Sequence, residues 1–327
     1  MAAIFAEGLV KHFPPDVHAV DGIDLSIDEG QVFGFLGANG SGKTTTVRML
    51  TTLLRPTAGR AQVLGLDVGA DATEVRRSVG VALQEAGLDD MQTGRELLQL
   101  QARLYELPPG AVKQRVQQLL RIVDLEDAAD RRIKTYSGGM KRRLDLAAAL
   151  VHRPKVVFLD EPTTGLDPIS REAIWRYVVE LNREDGVTFF LTTQYLEEAD
   201  RLAHDVAIMD RGRIVAQGSP AVLKSSIASD VVTLRIDGGE DERSRAEAIV
   251  RRFEGVEEVR VVADSIVVYV REGSAAISKL VLLLAEESLR AREVTLAQPT
   301  LDDVFLRKTG HHLEADERAI EAAGRAG

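Results

Sequence analysis

The sequence predicts an α/β domain with an all-helical insert, followed by a small α+β domain of ferredoxin-like order. Three observations carry that expectation. Apolar runs that read as strands alternate with helical patterns across residues 1–227, as in a sheet flanked by helices. Over about 85–152 the strand signal disappears and three successive stretches keep helical spacing. Across 228–310 the patterns follow the order β-α-β-β-α-β. A polar tail rich in Ala and charge occupies 311–327, helical or disordered.

Taken in order, Gln31-Val32-Phe33-Gly34-Phe35-Leu36 is a continuous apolar run and reads as a buried strand. Gly37-Ala38-Asn39-Gly40-Ser41-Gly42-Lys43-Thr44 follows it, matches GxxxxGK[ST], and opens a helix near Lys43. Val79–Leu83 is a strand ending at Gln84. Thr93–Tyr105, Ala111–Asp124 and Gly139–His152 are the helices of the insert. Lys155-Val156-Val157-Phe158-Leu159 runs into Asp160-Glu161, where Pro162 stops the strand. Val187–Leu191 is a further strand, ahead of Thr192-Thr193-Gln194. Gly218-Ser219-Pro220 begins a short helix that ends the domain. In the second domain Val231–Ile236 alternates as a strand and Asp241–Phe253 is helical. Val256–Ala263 and Ser265–Val270 form a hairpin across Asp264, Ser274–Arg290 is helical, and Arg292–Ala297 is the last strand. A closing helix follows from Pro299 through Leu306. This domain carries no catalytic constellation; a role in stability or dimerisation competes with regulation or small-molecule sensing.

Three motifs carry chemistry. The glycines of the 37–44 loop let successive backbone N–H groups turn inward on a polyphosphate, and the following helix adds its positive dipole end. Lys43 then places a point charge near the β and γ phosphates, and the Thr44 hydroxyl can ligate Mg²⁺. The second motif is Tyr136-Ser137-Gly138-Gly139-Met140, ahead of a helix. It reads either as a second phosphate site or as an ordinary helix cap with Ser137 at the N-cap. The third is the acidic strand end. Asp160 is placed to hold a metal's hydration shell and Glu161 to polarise an attacking water, or the pair is a plain solvated turn.

Order and spacing join these into one set: the loop, Gln84, Ser-Gly-Gly, Asp-Glu, and Gly165-Leu166-Asp167. With that set the chain resembles the ATP-binding cassette (ABC) ATPases of membrane transporters, over roughly residues 2–225. The resemblance implies the P-loop NTPase fold, ATP and Mg²⁺ as ligands, and a head-to-tail homodimer. In that dimer Ser137, Gly138 and Gly139 of one copy close over the γ-phosphate held by Lys43 of the other. It implies that Phe13 stacks on adenine and that Gly37, Ala38, Asn39, Gly40, Ser41, Gly42, Lys43, Thr44 and Thr45 line the phosphates. By the same resemblance Gln84 senses Mg²⁺ and the attacking water, Thr44 and Asp160 are metal-linked, Glu161 is the catalytic base, and Asp167 communicates across the dimer. The groove beside Gln84 and the helical insert, with Glu85–Glu96, is where a permease helix is received.

One position departs from the family. A histidine that contacts the γ-phosphate is usual after the strand Val187–Leu191, and here Gln194 stands in its place. Glutamine can donate an amide N–H to phosphate but cannot exchange a proton near neutral pH, which leaves Glu161 as the base. Gln194, Tyr136 and Met140 together make the chain look most like the drug-efflux cassettes of the daunorubicin-resistance type, which work with a separate permease.

Composition narrows the rest. At 327 residues two domains fit, and with no cysteine, disulfides and thiolate metal sites are excluded and a reducing cytoplasm is expected. A net charge of −10 argues against nucleic acid as the main partner. The six histidines show no ligand spacing, and His311-His312 lie in the polar tail. The N-terminus lacks the pattern of a signal peptide, and no stretch reaches the ~18 apolar residues that cross a bilayer. The expectation is therefore a peripheral protein at the cytoplasmic face of the membrane, powering efflux of an apolar compound through another chain. The competing expectation is a soluble ATP switch acting on a ribosome or other cytosolic partner. The single GxxxxGK[ST] loop and the lack of a sustained heptad run speak against it.

Overall fold

The structure is a computed structural model describing residues 2–83, 87–226, 230–262, 264–271, 273–297 and 299–310. The chain divides into two units, with the boundary between Pro220 and Ala221.

In the first unit, strands β1 (Ala2–Phe13) and β2 (Val17–Asp28) form a long hairpin that leads to β3 (Val32–Leu36) and helix α1 (Lys43–Leu50). Strands β4 (Ala58–Val63) and β5 (Leu66–Asp67) join the hairpin in an antiparallel sheet of order β2-β1-β4-β5. Helix α2 (Ala72–Ser78) then precedes β6 (Val79–Ala82). The helical portion follows as α3 (Gly94–Leu104), α4 (Pro109–Ile122) and α5 (Gly138–Ala149). Strand β7 (Val156–Asp160), α6 (Pro168–Asp185), β8 (Thr188–Thr193), α7 (Leu196–Leu202), β9 (Asp205–Asp210) and β10 (Arg213–Gly218) complete the run, and α8 (Pro220–Ser226) starts at the boundary and lies in the second unit from Ala221 on.

The central sheet has the order β10-β9-β3-β8-β7-β6, parallel except where β10 returns along β9. Strands β3, β7 and β8 are buried at every residue, as their uninterrupted apolar runs require of a sheet covered on both faces. Alternate side chains of β7 feed two cores. Val156 and Phe158 join the core shared with the antiparallel sheet, and Val157 and Leu159 the core shared with the helices of the insert. Phe190 sits between Phe33, Phe35 and Phe158 at ring separations of 5.6, 5.3 and 5.5 Å. Each such pair adds roughly 0.5–1.5 kcal/mol beyond area burial, and together they fix β3, β8 and β7 side by side. The register then sets Leu36 opposite Thr193 and Asp160 opposite Thr192, so the three carboxyl ends meet at one edge.

The second unit holds β11 (Asp230–Ile236), α9 (Glu240–Val250), β12 (Val256–Val262), β13 (Ser265–Val270), α10 (Gly273–Glu286), β14 (Ala291–Ala297) and α11 (Leu301–Thr309). Its sheet is antiparallel in the order β12-β13-β11-β14. That order is the ferredoxin-like arrangement expected from the β-α-β-β-α-β pattern. Val232, Leu234, Ile266 and Val268 from the sheet pack with Val250, Leu280 and Leu284 from α9 and α10.

Candidate functional site

The 37–44 loop joins β3 to α1 in the geometry that anion binding needs. Gly40 and Gly42 have φ of +81° and +112°, open to glycine at little cost. A Cβ at Gly42 would lie 2.2 Å from the Ala19 carbonyl, and one at Gly37 2.5 Å from the Met209 carbonyl, so the loop is pressed against β2 and β9. Gly42 is the N-cap of α1 and supplies no capping side chain. The Ser41 hydroxyl is buried without a hydrogen-bond partner. Orphan donors at a helix start and an unpartnered buried hydroxyl fit a bound polyphosphate. Asn39 and Gly40 are exposed at the loop's tip, and Thr44 and Thr45 are half-buried on the first turn of α1.

Lys43 is 3 % exposed, and its Nζ donates to the Gly37 and Ala38 carbonyls at 2.7 and 3.0 Å. It also lies 3.7 Å from Glu161 Oε1. Burial pulls the ammonium below its ordinary pKa, while the Glu161 and Asp160 charges oppose that shift. Asp160 Oδ1 accepts from Thr192 Oγ1 at 2.5 Å and from Thr44 Oγ1 at 3.3 Å. Its Oδ2 is buried with no partner. A carboxylate oxygen orphaned beside a hydroxyl is a hard oxygen set suited to Mg²⁺, so these residues fit the metal that such a loop calls for. Glu161 follows at φ +49°, a conformation few non-glycine residues adopt, and its N–H donates to the Thr192 carbonyl and hydroxyl at 3.1 and 3.0 Å. Thr192 thus holds both acids in place from the neighbouring strand.

The remaining expected residues fall around this cluster. Gln194 is half-buried just past β8, beside the carboxyl ends of β3 and β7. Phe13 ends β1 opposite Val17, is 38 % exposed, and has the Lys11 ammonium 5.1 Å from its ring centre. Ser137 caps α5 by accepting from Met140 N–H at 3.2 Å, and both Ser137 and Gly138 are exposed. Gly139 is buried, and a Cβ there would meet Ser170 Oγ at 2.4 Å. Ser170 in turn donates to Asp167, the cap of α6, by both hydroxyl (2.6 Å) and amide (3.0 Å), which lowers the Asp167 pKa. The Ser-Gly-Gly turn and the Asp167 turn are therefore packed together. Gln84, Glu85 and Ala86 lie outside the described residues, as does the tail with His311 and His312.

Two family-model matches and a set of relatives place the chain. Residues 20–164 match the ABC transporter family and residues 218–309 match the DrrA1-3-like ATP-binding protein C-terminal domain. The chain is 42 % identical to the daunorubicin resistance ATP-binding protein DrrA2 of Streptomyces coeruleorubidus, over 98 % of this chain and 99 % of that protein. It is 44 % identical to the daunorubicin/doxorubicin resistance ATP-binding protein DrrA of Streptomyces peucetius, over 98 % and 96 %. This chain belongs to the ABC transporter family. It is an ATP-binding and ATP-hydrolysing subunit of that family, of the drug-resistance exporter group. The Nod factor export ATP-binding protein I of a Rhizobium species is 38 % identical over 95 % of this chain and 98 % of that one. Among solved structures, cbiO1 of Clostridium perfringens, part of an ABC transporter complex, is 29 % identical with a TM-score of 0.64 over 69 % of this chain and 93 % of that one. An ATP-binding cassette solved as a dimer with ADP and Pi shares the fold at a TM-score of 0.61.

Three residues of this region were not singled out from the sequence. Thr192 sits in a buried strand as an unremarked hydroxyl. Arg142, on α5, reaches across to the carbonyls of Leu83, Asp160 (2.7 Å) and Pro162 (3.0 Å) and pairs with Asp145 at 3.3 Å. It ties the helix behind Ser137 to the ends of β6 and β7. Burial raises the Asp145 pKa to about 6 and lowers that of Arg142. Glu198, on α7, is fully buried and accepts from Thr163 Oγ1 at 3.1 Å and Trp175 Nε1 at 2.9 Å, with the Thr193 side chain bonded to it as well. It joins the segment after Glu161, helix α6 and the strand end before Gln194. Burial raises its pKa. The signal available was a Glu-Glu pair on a short helix, one face of which must be interior.

Proposed function

We propose that this chain is the motor subunit of an exporter, moving an apolar compound of the drug or antibiotic class through a separate membrane permease. The reading rests on one observation above the others: a buried Lys43–Glu161–Asp160 cluster at the carboxyl ends of β3 and β7, in a chain akin to drug-resistance and Nod factor export ATP-binding subunits. ATP binds with adenine against Phe13 and its phosphates on the 37–45 stretch. Lys43 turns its ammonium from the Gly37 and Ala38 carbonyls to the β and γ phosphates. Thr44 and Asp160, with Gln84, would hold Mg²⁺, which when bound would supply positive charge against the phosphates. Glu161 accepts the proton of the attacking water, and Gln194 donates an amide hydrogen bond to the γ-phosphate without taking part in proton exchange. A second copy of the chain supplies its exposed Ser137 and Gly138 to that γ-phosphate, making a head-to-tail homodimer.

Among the described residues no helix is long and apolar enough to cross a membrane. On this reading the translocation path belongs to the permease, with this chain peripheral at the cytoplasmic face and the 85–96 segment meeting a permease helix. The test is co-expression with the permease, followed by membrane fractionation and ATPase assay. The proposal expects recruitment to the membrane fraction and a changed ATPase rate when the permease is present. A rate and distribution indifferent to the permease would favour the soluble ATP switch instead.

A further inference from the structure

The histidine spacing along the sequence gave no ligand pattern, but folding brings two of these residues together. His12 and His18 are direct cross-strand partners in the β1–β2 hairpin, with ring centres 3.8 Å apart. Lys11 pairs with Val20 and His12 with His18, so Ala19 is an extra residue in β2. In a regular strand His18 and Asp21, three residues apart, would point to opposite faces. The bulge at Ala19 reverses the alternation and turns Asp21 to the side of His18. As a result one imidazole nitrogen from each histidine and one Asp21 carboxylate oxygen lie within 4.8 Å of one another.

We propose that His12, His18 and Asp21 form a binding site for a divalent transition metal of the zinc class. The site has three protein ligands and a fourth position for water. Two imidazoles and a carboxylate suit such an ion and do not suit Mg²⁺, which prefers oxygen donors. Tetrahedral zinc needs donors about 3.3 Å apart, which modest side-chain rotation from 4.8 Å supplies. His12 Nε2 is buried and has no hydrogen-bond partner, so a donor atom is already desolvated and uncommitted. Arg213 holds Asp21 through Oδ2 alone, at 2.8 and 3.0 Å, in the way an outer partner orients a ligating carboxylate.

The position gives the ion something to act on. His12 adjoins Phe13, and the bulged Ala19 carries the carbonyl that Gly42 packs against. Asp21 N–H donates to the Gly212 carbonyl, and Gly212 N–H to the Ser41 carbonyl, each at 2.9 Å. A metal closing this hairpin therefore stiffens the strand that presents Phe13 and the support under the phosphate loop. Metal and nucleotide binding become linked, each altering the other's affinity by the same factor.

Calorimetric titration of the full-length, nucleotide-free protein with Zn²⁺ tests this. The wild type should take up Zn²⁺ with micromolar affinity at a site that His12→Gln and His18→Gln each weaken. The loss should be at least the ~10–100-fold that follows removal of a mere outer partner. His18 is exposed, so its substitution leaves the fold intact, and unchanged thermal melting without zinc verifies this for both variants. Saturating Zn²⁺ should also shift the affinity for ATP in the wild type and not in His18→Gln. Zinc uptake identical in the wild type and both variants would overturn the proposal, as would the absence of uptake in the wild type.

Discussion

The two units of this chain bury different kinds of side chain. In the first, Lys43, Asp160, Glu161 and Glu198 are all buried, and Thr192 and Thr163 hydrogen-bond to them. In the second, among the described residues, the buried polar set reduces to Ser265. Burying a charge costs several kcal/mol unless it is paired, so a fold that keeps such groups without function is at a disadvantage. The difference teaches where to look for chemistry: at the sheet edge of the first unit, where charged side chains are buried, rather than in the second unit, whose described core is almost wholly apolar.

That contrast can be broken most severely at Lys43. Lys43→Ala removes the charge that faces Glu161 and Asp160 and that, on the proposed reading, meets the phosphates. Turnover should be abolished and ATP binding weakened about 10-fold or more, as loss of a charge-assisted contact implies, while the thermal transition remains cooperative. Loss of cooperative folding would mean that the buried lysine is structural, and the contrast would lose its functional meaning. The mirror-image change is Leu280→Ala, at a fully buried position of the second unit. It should cost about 2–5 kcal/mol in the stability of that unit and leave ATP affinity unchanged. A parallel fall in ATP affinity would show that the second unit is not merely packing.

A smaller effect concerns Asp145. Its carboxyl titrates from an ordinary 3.8 to about 6 on folding, with burial as the cause and Arg142 opposing it. The folded state then binds the proton more tightly than the unfolded chain, so stability falls as pH rises from about 4 to 6, by up to about 3 kcal/mol. Asp145→Asn should flatten that slope in melting temperature against pH. If the slope is the same in the variant, another group carries it.

Much of this architecture is legible in the sequence because local pattern and tertiary demand agree. The strand before Gly37 and the strand before Asp160 are apolar throughout since both faces are covered, and the helices of the insert show one apolar stripe each. The ferredoxin-like order followed from patterning alone. Less legible was the long β1–β2 hairpin, whose polar-apolar alternation is broken by bulges between Ala6 and Leu9 and between Lys11 and His12. Those bulges also hid the meeting of His12, His18 and Asp21, since side-chain direction depends on one extra residue that composition does not announce. Arg142 and Glu198 escaped for a different reason: apart from Asp145 beside Arg142, their partners are backbone carbonyls, hydroxyls and an indole N–H distant in sequence. Motif residues are legible because their spacing is local, and the groups that hold them are not.

The account depends most on Glu161 as the base that activates water. Glu161→Gln keeps the side chain's size and leaves Lys43, Thr44 and Asp160 in place, so it separates binding from proton abstraction. Steady-state hydrolysis and equilibrium ATP binding should be measured on the same purified variant with Mg²⁺ and the permease present. The account predicts that ATP binding is retained while turnover falls at least about 100-fold, the scale of a lost general base. Hydrolysis at the wild-type rate would contradict it.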